Sequence, residues 1–141
     1  MAYDAESGAG PGGARHIVLW VAQALLAVAF GSAGLLKLSM PMPQLIEMLV
    51  WPSALPPELV RTIGAVELIG AAGLIIPAAT RIVPWLTPIA ALGLSVIMAL
   101  AIVFHIAREE WAALPINLIF IAMAGFIVWG RSVRAPIPAR R

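Results

Sequence analysis

The stretch that decides the fold class is Ile82-Val-Pro-Trp-Leu-Thr-Pro-Ile-Ala-Ala-Leu-Gly-Leu-Ser-Val-Ile-Met-Ala-Leu-Ala-Ile-Val-Phe-His-Ile-Ala107, the longest run without Asp, Glu, Lys or Arg. An α-helix rises about 1.5 Å per residue, so roughly 20 apolar residues cross about 30 Å of bilayer hydrocarbon. The run exceeds that length, and its first ionisable residue is His105. It therefore predicts a transmembrane helix with one ionisable side chain near its end.

Three further stretches have similar length and composition, which gives predicted spans at about 16–38, 61–79, 82–107 and 111–130. Across the chain 62% of residues are hydrophobic and 11% are charged, against about 45–50% and about 25% in soluble domains. Too little polar surface is left for a disordered chain, a nucleic-acid-binding arm or a cytosolic enzyme. We therefore expect an all-α polytopic membrane protein, a four-helix bundle whose partner is the lipid bilayer and not nucleic acid.

The connections divide the chain into a bundle, residues 15–131, and two tails. Residues 1–14 are rich in glycine and predict a flexible N-terminal tail, while residues 132–141 predict a basic C-terminal tail. The first loop contains the apolar segment 44–51, which is too short to span the bilayer. That segment predicts a short helix lying in the outer membrane interface.

Lysine and arginine are unequally shared between the two sides of a four-span chain, which predicts its orientation. One side carries three basic residues, Lys37, Arg61 and Arg108, and the other carries six, Arg15, Arg81, Arg131, Arg134, Arg140 and Arg141. The more basic side is expected in the cytoplasm. We therefore predict a multi-pass protein of the cell membrane with both termini in the cytoplasm.

Each predicted span carries one strong polar group in the half of the membrane away from the termini, namely Lys37, Glu67, His105 and Asn117. A charge facing lipid costs about 2.5–3.5 kcal/mol even on the lenient insertion scale, so Glu67 should face the bundle interior and a cation. Lys37 and His105 are the candidates for that cation. We predict a polar outer-leaflet pocket formed by these four residues, with Arg61 and the Gln44 and Glu47 side chains near its mouth.

Each of these polar residues also has a purely structural interpretation. Glu67 can act as a clamp between helices instead of a functional acid, and Asn117 is expected to form an interhelical hydrogen bond. His105 is either a titratable proton carrier or an interfacial residue. The candidate catalytic residues are therefore Glu67 and His105, and the sequence identifies no catalytic residue beyond them.

The absence of cysteine excludes disulfides, Fe–S clusters and cysteine-rich zinc sites. The sequence also contains no haem or flavin motif, and its spans lack the three or four grouped ligands that a metal site needs. We therefore predict no metal site. The sequence leaves the cofactor unknown, and a quinone is one candidate.

Several short motifs, Ala29-Phe-Gly-Ser-Ala-Gly-Leu-Leu-Lys-Leu38, Arg61-Thr-Ile-Gly-Ala-Val-Glu67 and Leu74-Ile-Ile-Pro77, followed by His105, resemble the DoxX-like family over residues 15–131. That family is named for a membrane subunit of a thiosulfate:quinone oxidoreductase, and other members are associated with redox homeostasis or with the assembly of membrane proteins. The resemblance implies four spans and a polar site at Lys37, Glu67 and His105. The lack of cysteine argues against sulfur-relay chemistry by this chain itself.

Two functions from different classes follow from these observations. The first is an accessory or binding subunit, associated with membrane redox processes, whose outer pocket holds a lipid, a quinone-like ligand or a protein partner. The second is a small quinone-linked membrane oxidoreductase in which Glu67 and His105 transfer protons. The first is preferred because the sequence offers no motif for a redox centre. Its protein partner would be another membrane protein or a second copy of this chain.

Overall fold

A computed structural model describes residues 11–140, and every regular element within that range is helical. The four long helices are α1 (Pro11–Ser39), α3 (Pro57–Thr80), α4 (Leu86–Ala107) and α5 (Leu114–Trp129), while α2 (Met42–Leu49) is the short helix of the first loop. Each of α1, α3 and α4 is long and apolar enough to cross a membrane, and so is α5 together with the helical turns on either side of it, Trp111–Arg134. These helices confirm the predicted all-α four-helix membrane bundle.

The helices extend beyond the predicted spans at both ends of the chain. α1 begins at Pro11, so residues 11–14 of the predicted N-terminal tail are helical, and residues 1–10 lie outside the described residues. Proline is well suited to such a start because a helix's first N–H has no partner. At the other end a π-helical turn, Gly130–Arg134, continues α5. The segment after it hydrogen-bonds to the α3–α4 turn through Arg140 N–H and the Arg81 carbonyl, 2.9 Å apart.

The helices run antiparallel and pack in chain order, with α1 mainly against α3 and α4 mainly against α5. Leu26, Phe30, Leu74, Leu94 and Ile127 are among the buried side chains of the core. Large apolar residues such as Val28 and Ile69 are about 70% exposed, at 71% and 72%. Such an apolar outer surface suits lipid, where a bare hydrocarbon side chain loses nothing by facing outward.

The bundle has two ends with different charges. We call the end that holds the last turns of α1 and α4 the Glu67 end, and the opposite end, with the first turns of α1 and α4, the Arg131 end. All five acidic residues described in the structure lie in the half toward the Glu67 end, Glu47, Glu58, Glu67, Glu109 and Glu110. The Arg131 end holds only basic charges among residues 11–140.

Two glycines let α1 and α3 approach closely next to the polar site. A Cβ added at Gly34 would lie 2.6 Å from the Gly64 carbonyl oxygen, and one at Gly64 would lie 2.7 Å from the Lys37 Cβ. Both distances are far below van der Waals contact, so only glycine permits this packing. Lys37 and Glu67 each follow one of these glycines by three residues, and the close approach places their side chains between the same two helices.

Candidate functional site

A buried ion pair joins α1 and α3 within the bundle. Lys37 Nζ donates a hydrogen bond to Glu67 Oε2 at 2.7 Å, and the two side chains are only 7% and 5% exposed. Helical side chains point toward the N-terminus of their own helix. Because α1 and α3 are antiparallel, the lysine therefore extends inward and the glutamate outward, and the two meet. Of the two candidate cations for Glu67, the structure pairs it with Lys37.

The first loop closes over this pair through Trp51. The Lys37 Nζ lies 5.7 Å from the centre of the Trp51 ring, a distance typical of a cation–π contact. The ring also packs edge-on against Phe104 of α4, with 6.3 Å between centroids. Val50, which precedes the tryptophan, has a φ of 63°, a strained value for a β-branched residue. The turn that positions Trp51 is therefore held in place by the surrounding structure.

His105 pairs with a loop carboxylate that the sequence analysis did not single out. Its Nδ1 lies 2.7 Å from Glu110 Oε2, while Arg108 Nε donates to Glu110 Oε1 at 2.8 Å. The hydrogen bond from His105, followed by the one from Arg108, lowers the pKa of the Glu110 carboxyl below its ordinary value. Glu110 therefore stays ionised. Its carboxylate occupies the Nδ1 side of the His105 ring, which leaves Nε2 as the ring nitrogen without a partner within residues 11–140.

Asn117 is buried near the start of α5, with 8% of its surface exposed. Its position within a predicted span predicts an interhelical hydrogen bond for this residue. Within residues 11–140, however, the Asn117 Nδ2 has no hydrogen-bond partner. A buried donor left without an acceptor costs about 1–3 kcal/mol. The Asn117 Nδ2 therefore does not form the hydrogen bond between helices that a purely structural role requires.

Two cavities meet at these polar residues. The larger has a volume of about 770 Å³ and the smaller about 420 Å³. Both are lined by the same four residues, Lys37, Glu67, His105 and Asn117, which we call the polar cluster, and by Trp51 and Met98. Most of the remaining lining is apolar. A mostly apolar cavity with a few converging polar groups is the usual form of a small-molecule site.

Arg61 lies outside both cavities, unlike the other four predicted site residues. Its guanidinium donates to the Met40 carbonyl at 2.7 Å and to the Lys37 carbonyl. These carbonyls belong to the end of α1, where the helix has no internal donors left and where its dipole favours a cation. Arg61 therefore caps α1 and fixes the backbone of Lys37. Gln44 and Glu47 also line neither cavity, whereas Met48 lines the larger one.

The acidic and imidazole groups of the site belong to two separate pairs, Lys37–Glu67 and His105–Glu110. No group of three or more His, Asp or Glu side chains close enough to hold a metal ion occurs in the part of the chain that the structure describes. The groups that can donate a hydrogen bond to a ligand are the Lys37 ammonium, through its remaining protons, and the Asn117 amide. This donor set suits oxygen acceptors on an organic molecule.

A sequence model of the DoxX-like family matches residues 21–127. The chain belongs to the DoxX-like family. The match covers α2, α3 and α4 completely and most of α1 and α5, and it includes all five predicted site residues, Lys37, Arg61, Glu67, His105 and Asn117. No curated protein and no solved structure gives a significant match to this chain. With its four spans, this DoxX-like protein is an integral, multi-pass membrane protein.

Proposed function

We propose that this DoxX-like protein is an accessory subunit of membrane redox processes that binds a neutral amphiphile with carbonyl oxygens, a quinone-like molecule, at the polar cluster. With the termini in the cytoplasm of a cell-membrane protein, as the distribution of arginine predicts, this site lies in the outer leaflet. A quinone has an apolar ring and tail with two acceptor oxygens. These features complement an apolar cavity that contains donors.

The unpartnered Asn117 amide is the observation that carries the proposal. It lines both cavities, and its Nδ2 lacks an acceptor within residues 11–140. A carbonyl oxygen of a ligand would supply that acceptor and remove the cost of the unmade hydrogen bond. The Lys37 ammonium has three protons, and one of them is donated to Glu67. The Lys37 ammonium is therefore a second donor for the ligand, in the same two cavities as the Asn117 amide.

Charge in the site favours a neutral head group over an anion. The Lys37 ammonium is offset by Glu67, and the Arg108 guanidinium is offset by Glu110. Glu109 also lines the larger cavity and adds a negative charge. An anionic lipid head group would meet this carboxylate without a free cation to balance it. A quinone carbonyl carries no net charge and avoids that repulsion.

Replacing Asn117 with leucine, which keeps the branched shape of the side chain and removes the donor, is expected to weaken binding of decylubiquinone about tenfold, the equivalent of about 1.4 kcal/mol. The measurement is equilibrium titration of the purified protein in lipid nanodiscs, followed by quenching of tryptophan fluorescence. Thr87→Val is the matched control, because the Thr87 Oγ1 is also buried without a partner, but at the Arg131 end. Unchanged affinity in Asn117→Leu, or an equal loss in both variants, contradicts the proposal.

The His105–Glu110 pair favours a second candidate, a quinone-linked oxidoreductase in which His105 and Glu67 transfer protons. An imidazole held at Nδ1 by a carboxylate is oriented to exchange a proton at Nε2, and His105 lines both cavities. Visible absorption spectroscopy and mass spectrometry of the gently solubilised protein separate the two functions. A co-purifying flavin or haem supports the oxidoreductase. A stoichiometric protein partner, or a second copy of the chain, together with a quinone supports the accessory subunit.

A further inference from the structure

Arg131, at the Arg131 end, is buried and has no acidic partner within residues 11–140. Arg131 is 4% exposed, and none of the ion pairs found within residues 11–140 includes it. All five described acidic residues lie toward the opposite end of the bundle. A buried charge is normally paired, because removing it from water without a partner is unfavourable. No anion therefore lies at Arg131 among the residues that the structure describes.

The guanidinium is held in a fixed position by α1. Arg131 Nε donates to Gln23 Oε1 at 2.6 Å, and Gln23 Nε2 in turn donates to the Leu74 carbonyl of α3 at 2.6 Å. Gln23 is fully buried. The guanidinium carbon also lies 5.5 Å from the centre of the Trp20 ring. Contacts with α1 and α3 thus orient the guanidinium at the end of α5. A binding site for a specific ligand requires such a fixed orientation.

The groups around the arginine supply more donors than acceptors. Arg131 NH1 lies 3.1 Å from His16 Nδ1, and Trp20 Nε1 lies 3.0 Å from His16 Nε2. Guanidinium and indole nitrogens only donate, whereas a neutral imidazole has a single acceptor nitrogen. One of these two contacts therefore cannot be a hydrogen bond. Arg131 NH1 also donates to the Ala135 carbonyl at 3.3 Å. Arg131 NH2 has no partner within residues 11–140, so this nitrogen is left without an acceptor.

We propose that Arg131 and its neighbours form a binding site for a phosphate-bearing anion. Phosphate oxygens accept the NH1 and NH2 donors of an arginine as a pair, in the bidentate geometry that distinguishes arginine from lysine. His16 is an exposed residue, and its ring covers NH1. Rotation of that ring away from NH1 opens the fork to a ligand and frees one imidazole nitrogen for Trp20.

The position of the site matches the phosphates of a lipid layer. It lies at the ends of the spans, where head groups begin, and Arg15, Arg81, Arg134 and Arg140 belong to the same end. Arg134 stacks on Trp129, with 5.3 Å from the guanidinium carbon to the ring centre. Basic and aromatic side chains of this kind are typical of the membrane interface. A lipid head group and free inorganic phosphate share the chemistry that this site recognises.

Native mass spectrometry of the delipidated full chain in dodecyl maltoside tests the proposal. The three probes are dioleoylphosphatidylglycerol, dioleoylglycerol, which lacks the phosphate, and inorganic phosphate. We expect the wild type to retain one phosphatidylglycerol at least about tenfold better than dioleoylglycerol, as charge-assisted hydrogen bonds predict. Arg131→Gln should lose this preference. Arg134→Gln removes an exposed arginine three residues after Arg131, and this variant should keep the preference for phosphatidylglycerol.

The outcomes separate the source of the phosphate from the existence of the site. Retention of phosphatidylglycerol in the presence of excess inorganic phosphate identifies the lipid head group, and displacement by inorganic phosphate identifies a free anion. Arg131→Lys keeps the positive charge but lacks the two-pronged guanidinium, so it should also lose the preference for phosphatidylglycerol. This second variant tests the proposal if Arg131→Gln fails to fold. Equal retention of all probes by the wild type, wild-type retention in both Arg131 variants, or an equal loss in Arg134→Gln overturns the proposal.

Discussion

Replacing Lys37 with methionine is expected to lower the free energy of unfolding of the bundle by about 3–5 kcal/mol, the loss typical of breaking a buried ion pair. Methionine preserves most of the volume and leaves the Glu67 carboxylate, 5% exposed, without its cation. Within residues 11–140, Lys37 is the hydrogen-bond partner of that carboxylate. Nothing else described in the structure replaces it.

Unfolding of the purified protein by sodium dodecyl sulfate in mixed micelles, followed by far-UV circular dichroism, measures this loss. The double variant Lys37→Met with Glu67→Leu should recover most of the stability, because an apolar pair of similar volume can replace a buried ion pair at little cost. Arg108→Met is the control, since it breaks the more exposed Arg108–Glu110 pair and should change stability little. A double variant as unstable as Lys37→Met contradicts the account of the pair.

Filling the larger cavity is expected to abolish most ligand binding while leaving the fold intact. Ala33 lines that cavity from α1, and Ala33→Phe places a ring where we propose that the quinone binds. Overlap with the ligand should weaken decylubiquinone binding by about 100-fold, the equivalent of about 2.7 kcal/mol. This loss is larger than that for Asn117→Leu, because the substitution excludes the ligand instead of removing one hydrogen bond.

The same nanodisc titration measures this effect, and Ser32→Phe is the matched control. Ser32 precedes Ala33 on α1 but is exposed and lines neither cavity, so its ring faces away from the proposed site. We expect Ser32→Phe to bind decylubiquinone like the wild type. If Ala33→Phe also binds like the wild type, the ligand does not occupy the larger cavity.

The fold was predictable because lipid imposes strict rules on a sequence. Spans without charge, such as 82–107, have few alternatives in a bilayer. The expectation that Glu67 faces a cation inside the bundle followed from the cost of a charge in lipid, and the structure pairs it with Lys37. The close approach at Gly34 and Gly64 is consistent with the small residues that such packing needs.

Other parts of the site depend on geometry that the sequence pattern does not contain. Glu110 follows the end of α4, and only the turn after that helix brings it to His105. Arg61 was expected at the mouth of the pocket, but the end of α1 offers its guanidinium free carbonyls. Asn117 is predicted from the sequence to form an interhelical hydrogen bond. That hydrogen bond requires an acceptor at the same depth on the adjacent helix. These are tertiary properties, which spacing along one helix does not determine.

The Arg131 cluster was missed for a related reason. In the sequence, Arg131 is one of the basic residues that predict how the protein is oriented in the membrane. In the structure it is buried and hydrogen-bonded to Gln23 of α1. The two residues are 108 positions apart in the sequence. One signal was present: Gln23 is a strongly polar residue within the first predicted span, and a buried amide in a membrane helix requires a partner.

Photoaffinity labelling shows whether a quinone binds at the polar cluster, because it locates the bound molecule in the bundle without altering the site. The probe is an azido-ubiquinone analogue added to the wild-type protein in nanodiscs, and mass spectrometry identifies the labelled peptides. We expect labels on residues that line the two cavities, in the segments around Lys37, Trp51 and Asn117, and we expect excess decylubiquinone to suppress them. Labels confined to the lipid-facing surface, and unchanged by excess decylubiquinone, would contradict the account.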